Sequence, residues 1–178
     1  MQYDLNNMSD VIHIGLKVIP SSYMRCNKKL IHLDLDQGVE EISHDAFSLC
    51  INLKSVTFPD TLAVLGDRAF HKCTSIKEIS LPQKISKIPI ECFHRCYSLE
   101  KVILPENLNE ICSLAFNSCF SLKELTIPAS VNILRPSAFS NCSSLKTVYL
   151  QKKLISKVKN DFDKIFINCQ NLKDIIEI

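Results

Sequence analysis

The residues in this 178-residue sequence that are best suited to chemistry are its nine cysteines. Five of them recur at intervals of 23 residues: Cys50, Cys73, Cys96, Cys119 and Cys142. Zinc sites usually draw on ligands that lie close together in the sequence, and single cysteines 23 residues apart do not supply such pairs. Disulfides between these cysteines are disfavoured, because equivalent side chains of stacked repeats point the same way. We therefore expect these thiols to be free and to act as small buried hydrophobic groups.

Two histidines, His71 and His94, share the same 23-residue spacing, and each directly follows a phenylalanine. Two imidazoles could bind a metal ion, but the sequence shows no third ligand beside them, so solvated histidines are expected. No nucleophile–base arrangement, Gly-rich phosphate loop or zinc motif is present, and there are only three glycines. The sequence thus predicts no catalytic residue, no cofactor and no metal, and a protein that is not an enzyme.

The cysteines belong to a repeat that organises the chain. A phenylalanine stands three residues before each cysteine, apolar residues stand three, six and eight residues after it, and a proline usually follows. The phenylalanines are Phe47, Phe70, Phe93, Phe116 and Phe139. No single copy can bury its own apolar edge, so the copies must stack as coils of a solenoid.

Each copy predicts two structural segments. Residues 122–127 alternate apolar and polar side chains, as a half-buried strand does, and Pro128 ends that strand. Residues 136–141 predict a short helical turn on the opposite face, with Pro136 at its start. Stacking would place neighbouring strands about 4.8 Å apart in a parallel sheet.

The unit A-F-x-x-C-x-x-L-x-x-V-x-L-P resembles the BspA-like class of leucine-rich repeats. Its first match is Ala46-Phe47, Cys50, Leu53, Val56, Phe58 and Pro59. The resemblance extends over roughly residues 19–178, with Cys92 in place of Ala and Ile76 in place of Leu. It implies an α/β solenoid, a right-handed horseshoe with a parallel concave sheet and short convex helical turns, that binds proteins without being an enzyme. Members resemble surface adhesins of bacteria and protozoan parasites.

The domain organisation follows from the phase of the repeat. Residues 1–18 are expected to form an N-terminal cap or half-coil, and residues 19–178 a solenoid of about seven coils. Four extra residues lengthen the last coil, 151–178, in which Val158, Phe162, Ile165 and Phe166 follow helical spacing and predict a longer last helix. The terminal strand leaves one sheet edge open, so we expect either an end-to-end homodimer through this C-terminal edge or shielding by that helix.

The concave face is the predicted binding surface for a protein partner, whose identity the sequence does not give. Its outward residues alternate with the buried ones. The candidates are Glu78, Lys101, Ile103, Glu124, Thr126, Thr147 and Tyr149, of which Ile103 and Tyr149 are the expected hot spots. Beside them runs a lysine column, Lys54, Lys77, Lys123, Lys146 and Lys173, interrupted by Glu100. A solvated sheet without a partner is the simpler alternative.

A basic stretch offers a second candidate surface. No acidic residue occurs between Leu125 and Asn160. The same segment contains six basic residues, Arg135, Lys146, Lys152, Lys153, Lys157 and Lys159. These residues could bind a polyanion or an anionic membrane surface, although solvated loop lysines are the favoured explanation. The net charge of +2 is too small to predict nucleic-acid binding.

Location is predicted from what the sequence contains and lacks. It has no apolar run long enough for a transmembrane helix and no basic segment followed by an apolar run at its N-terminus. Unpaired thiols fit a reducing compartment. A cytoplasmic location is therefore expected, whereas the family resemblance suggests the cell surface.

Overall fold

The computed structural model describes residues 11–158 and 160–178 and shows a parallel-strand β-solenoid of about seven turns. Its first strands, in chain order, are β1 (Val11–Ile14), β2 (Val18–Ile19), β3 (His32–Leu35), β4 (Glu41–Ile42), β5 (Ser55–Thr57), β6 (Val64–Leu65) and β7 (Glu78–Ser80). The later strands are β8 (Lys87–Ile88), β9 (Lys101–Ile103), β10 (Glu110–Ile111), β11 (Glu124–Thr126), β12 (Ile133–Leu134), β13 (Thr147–Leu150) and β14 (Asp174–Glu177).

The strands form two walls of the solenoid. The odd-numbered strands and β14 make the long-strand sheet, which is hydrogen-bonded as β1-β3-β5, β7-β9 and β11-β13-β14. The even-numbered strands from β2 to β12 make the short-strand sheet, in the two groups β2-β4-β6 and β8-β10-β12. All pairs are parallel. Residues 21 apart lie side by side in the β1–β3 pair, as Ile14 and Leu35 do, and residues 23 apart in the pairs that follow up to β13, as Glu78 and Lys101 do. In the lengthened last coil the offset is 27 residues, so that Thr147 lies beside Asp174.

The core is built around a column of stacked phenylalanines. The five repeat phenylalanines are fully buried, and Phe166 extends the column. Successive ring centroids lie 5.3 to 5.6 Å apart, with nearly parallel planes. Leucines, isoleucines and valines from both sheets pack around this column in one continuous cluster.

The buried, unpaired cysteines are confirmed. All nine cysteines lie within the described residues and none forms a disulfide. Each repeat thiol donates to the carbonyl oxygen of the preceding coil's residue at the phenylalanine position, for example from Cys73 Sγ to the oxygen of Phe47 at 3.2 Å. Burial raises the pKa of Cys50 and of Cys96 to about 12, so these groups stay protonated and can donate. The cysteine therefore fills space and also supplies a hydrogen bond to a buried backbone carbonyl.

The third wall of each coil differs from the prediction, because the expected helical turns are not helices. We call this wall, which carries the phenylalanine, the turn face. Two residues in each of its central coils have positive φ, as Glu91 (54°) and Arg95 (62°) do on either side of Phe93. Such left-handed residues interrupt a right-handed helix. Backbone N–H groups of this wall donate hydrogen bonds to the next coil instead. The N–H of Phe93, for example, donates to the carbonyl oxygen of Ala115 at 2.8 Å.

The helical content of the last coil also differs from the sequence prediction. Its extra residues do not lengthen one helix but form two short helices, α1 (Lys152–Val158) and α2 (Phe162–Ile165). α1 directly follows β13 and buries Leu154 and Val158, which lie one turn apart on one face. Phe166 follows α2 and stacks on Phe139 at 5.6 Å, so the core column continues despite the insertion.

Candidate functional site

The central strands of the long-strand sheet expose the predicted candidate residues. In β7, β9 and β11 the middle residue is buried and its two neighbours point outward and are exposed. This alternation displays Glu78, Lys101, Ile103, Glu124 and Thr126 on one surface. Ile103 is 44% exposed, which leaves an apolar side chain in the middle of a polar face.

The two candidates on β13 are less accessible than the sequence predicts. Thr147 is buried and Tyr149 is half-buried, although both belong to the same outward columns. Tyr149 lies beside Thr126 on one side and Ile176 on the other. Ile103 is therefore the better exposed of the two expected hot-spot residues.

Charges on this face pair across neighbouring coils. Lys101 Nζ lies 3.1 Å from Glu78 Oε1, and Lys123 Nζ lies 2.7 Å from Glu100 Oε2. The hydrogen bond and the charge of Lys123 hold the pKa of Glu100 below its ordinary value. Such exposed pairs contribute little to stability, so they affect mainly which charges a partner meets.

The lysine column lies at the edge of the long-strand sheet, just before its strands. Backbone hydrogen bonds connect its members in register, from Lys146 N to Lys123 O at 2.8 Å and from Lys173 N to Lys146 O at 3.0 Å. Glu100 is in the same column, since its N–H donates to the oxygen of Lys77 at 2.8 Å. Glu100, which interrupts the lysine column, accepts a hydrogen bond from the next member of that column, Lys123.

The structure separates the members of the basic stretch. Lys146 belongs to the lysine column, whereas Lys152, Lys153 and Lys157 are on α1. Several of the charges are engaged: Arg135 Nε lies 3.0 Å from Glu110 Oε1, and Lys152 Nζ lies 3.7 Å from Glu177 Oε1. Lys157 Nζ donates to Asn132 Oδ1 at 3.2 Å, and Lys159 lies outside the described residues. The described members thus lie on different elements, and a common basic surface stays a prediction.

The two histidines of the turn face are neighbours, as expected, but they are not solvated. The rings of His71 and His94 stack with centroids 5.1 Å apart and an interplanar angle of 21°. His71 is only 5% exposed. Burial, with the positive charge of Arg68 adding to it, lowers the pKa of His71 from 6.5 to about 4. Burial also lowers the pKa of His94 below its ordinary value, although the nearby Glu91 carboxylate opposes this shift.

Glu91 completes this cluster and was missed by the sequence argument. Its Oε2 lies 3.3 Å from His94 Nδ1, and one ligand atom from each of His71, Glu91 and His94 lies within 4.8 Å of the other two. The premise that no third ligand stands beside the histidines was therefore wrong. Aligning the repeats could have found it, because Glu91 and His94 flank Phe93 at positions that lie side by side with Arg68 and His71 in the preceding coil.

The last described coil exposes apolar side chains. All four residues of β14 are exposed, and Ile175 is 43% and Ile176 41% accessible. A groove of about 480 Å³ borders this coil and is lined in part by Phe162, Phe166 and Leu172. The expected shielding by a lengthened helix is therefore not seen in the described residues. Neither α1 nor α2 has the length and apolar character that crossing a membrane requires.

Comparisons with known proteins identify the repeat. The model of the family described as BspA type leucine-rich repeat region matches residues 17–146 in six copies. A leucine-rich repeat protein of T. pallidum is similar in structure, with 23% identity, 96% of this chain and 71% of that chain covered, and a TM-score of 0.55.

Two further solved structures are more distant. The pneumococcal vaccine antigen PcpA has 18% identity, 83% and 56% coverage and a TM-score of 0.48. A leucine-rich cell-surface protein of Faecalibacterium prausnitzii has 14% identity, 98% and 80% coverage and a TM-score of 0.46. No curated protein sequence matches the chain.

Proposed function

This chain belongs to the BspA-type leucine-rich repeat family, and from that premise we propose that it is a non-enzymatic protein-interaction module. Its partner binds the outward face of the long-strand sheet, on the concave side of a horseshoe. The observation that carries this proposal is the contrast between the two sides of each strand. Inward residues repeat from coil to coil, whereas outward residues change from Glu78 to Lys101 to Glu124. A repeated core specifies a scaffold, and a varied surface provides specificity.

The chemistry of this face suits a protein partner. Ile103 offers an exposed apolar contact, and Lys101, Glu124 and Thr126 surround it with groups that donate or accept hydrogen bonds. Protein interfaces commonly combine a small apolar centre with a polar rim. Stacked coils also hold these side chains on a rigid sheet, which lowers the entropic cost of binding.

A capture experiment tests this proposal. We would immobilise the native chain and the double variant Ile103→Ala/Lys101→Ala and compare the proteins that each retains from a lysate of the source cells. A matched control is Val64→Ala/Lys87→Ala on the short-strand sheet, where Val64 is 48% exposed and Lys87 also pairs with a glutamate. Proteins retained by the native chain and the control but lost from the first variant are the expected result. Equal retention by all three chains would refute the assignment to this face.

That the protein resides in a reducing compartment such as the cytoplasm stays a prediction, and it rests on the unpaired thiols. None of the nine cysteines is paired in a disulfide, and Cys26 is exposed. Labelling of Cys26 with a membrane-impermeant thiol reagent in intact and permeabilised cells would decide it. Labelling only after permeabilisation is expected for an internal protein, whereas labelling of intact cells would place the chain at the surface.

A further inference from the structure

Three potential metal ligands from two neighbouring coils meet on the turn face. His94 Nδ1 and Glu91 Oε2 are 3.3 Å apart, and the ligand atoms of His71, Glu91 and His94 all lie within 4.8 Å of one another. Ligands bound at about 2.1 Å to a tetrahedral zinc ion lie roughly 3.4 Å apart. The His94–Glu91 pair already has this separation, and the widest pair would need to close by about 1.4 Å, which rotations of the side chains can supply.

We propose that His71, Glu91 and His94 bind a divalent transition-metal ion such as Zn²⁺. Two imidazole nitrogens and one carboxylate oxygen form a donor set that zinc accepts, and three protein ligands leave a fourth position for water or for a group of another molecule. His71 is 5% exposed, and the side chains of His94 and Glu91 are 15% and 25% exposed. The site is therefore open on one side and packed on the other.

Arg68 acts as a substitute cation between the ligands. Its Nη2 lies 3.4 Å from His71 Nδ1, and its Nε lies 3.4 Å from Glu91 Oε2. These are long contacts, and the guanidinium Nε has no hydrogen-bond partner within the described residues. A positive group thus already lies 3.4 Å from two of the three proposed ligands, the His71 ring and the Glu91 carboxylate.

Asp45 provides a place to which Arg68 can move. The Asp45 carboxylate lies 3.9 Å from Arg68 Nε, is only 8% exposed, and its Oδ1 accepts no hydrogen bond within the described residues. Metal binding would repel the guanidinium towards this carboxylate and satisfy both unpaired atoms. The entering cation would therefore replace Arg68 beside Glu91, and the arginine, whose side chain is 39% exposed, would keep Asp45 as a carboxylate partner.

Titration of the reduced, chelator-treated protein with Co²⁺ alone tests the site, because the visible spectrum distinguishes nitrogen and oxygen ligands from thiolates. The test variant is His71→Asn/His94→Asn. Asparagine is compatible with this position, since Asn117 occupies it, buried, two coils after His71. His32→Asn, on the long-strand sheet, is the matched control. The native chain and the control are expected to bind one ion with a nitrogen/oxygen spectrum, and the double variant to bind at least about tenfold more weakly.

Arg68→Ala distinguishes a metal site from a merely structural cluster. Removing the competing cation is expected to strengthen Co²⁺ binding several-fold, whereas loss of a supporting residue would weaken it. Three results would overturn the proposal: no saturable binding by the native chain, equal binding by the double variant, or a spectrum of thiolate ligation. Unchanged or weaker binding by Arg68→Ala would also contradict the role given to that residue.

Discussion

The burial of residues that repeat from coil to coil could be predicted from the sequence, whereas the contacts of residues that do not repeat were not predicted. The phenylalanines and cysteines of the five regular repeats were predicted to be buried, and they are, because a residue type that recurs every 23 positions meets the same surroundings in each of these coils. Glu91 and the burial of Thr147 were not predicted. Aligning the repeats would have placed Glu91 beside the histidines, whereas the burial of Thr147 depends on its own surroundings in the last coils and has no signal in the repeat.

Truncation of a stacked phenylalanine should destabilise the fold. Phe93→Ala removes a fully buried ring that stacks on Phe70 and Phe116, and we expect a loss of about 3–5 kcal/mol in the free energy of unfolding. Phe120→Ala is the control, because that ring also stacks, on Tyr97 at 5.0 Å, but is 43% exposed. Urea denaturation measures both variants. Equal losses would show that the internal column is not what holds the coils together.

Stability should decrease in mild acid because of His71. Its pKa is about 4 in the folded chain and near 6.5 when unfolded, so between these values only the unfolded chain takes up a proton, and the free energy of unfolding falls as pH falls. The groups facing it are Arg68, His94, Glu91 and Lys72, of which only Glu91 favours the charged imidazole.

The decrease due to His71 should reach at most about 2 kcal/mol between pH 7 and pH 5. Urea denaturation at the two pH values, with a chelator present, measures it. His71→Asn should remove this part of the pH dependence and leave that of other groups. An unchanged pH dependence in the variant would show that His71 does not titrate as its burial requires.

At the scale of elements, the strands were predictable and the connections were not. Alternation of apolar and polar residues indicated the long strands, and their register follows from the repeat. The turn face was wrongly predicted as helical, because positive φ at residues such as Glu91 and Arg95 has no signature in residue type. The insertion in the last coil likewise formed two helices, since the sequence spacing did not reveal the break between α1 and α2.

The open edge at β14 leads us to predict an end-to-end dimer. Ile175 continues the inward column of Val148 but is 43% exposed, and the outer edge of the strand is unpaired in the described residues. Ile175→Lys should prevent association, because a charge at an exposed edge opposes strand pairing. Light scattering at high concentration should give two chains for the native protein and for a Val64→Lys control, and one chain for Ile175→Lys. A single-chain mass for the native protein would refute the dimer.

At the scale of the whole molecule, the architecture was the most predictable feature and the binding surface the least. Repeated columns of apolar residues require stacking, and the stack appears as a solenoid with one continuous core. The outward face could be located from alternation, but its cross-coil ion pairs and the reduced exposure of Tyr149 could not. These details decide which residues a partner meets first, and they leave Ile103 as the better exposed of the two expected hot spots.

Site-specific photo-crosslinking in the source cells tests the central claim most directly. A photoreactive phenylalanine analogue would replace Ile103 in one chain and Val64 in another, since both positions are exposed to a similar extent and belong to opposite walls of the solenoid. We predict a discrete crosslinked protein from position 103 and none from position 64. Crosslinks from position 64 alone, or from neither position, would contradict a binding surface on the long-strand sheet.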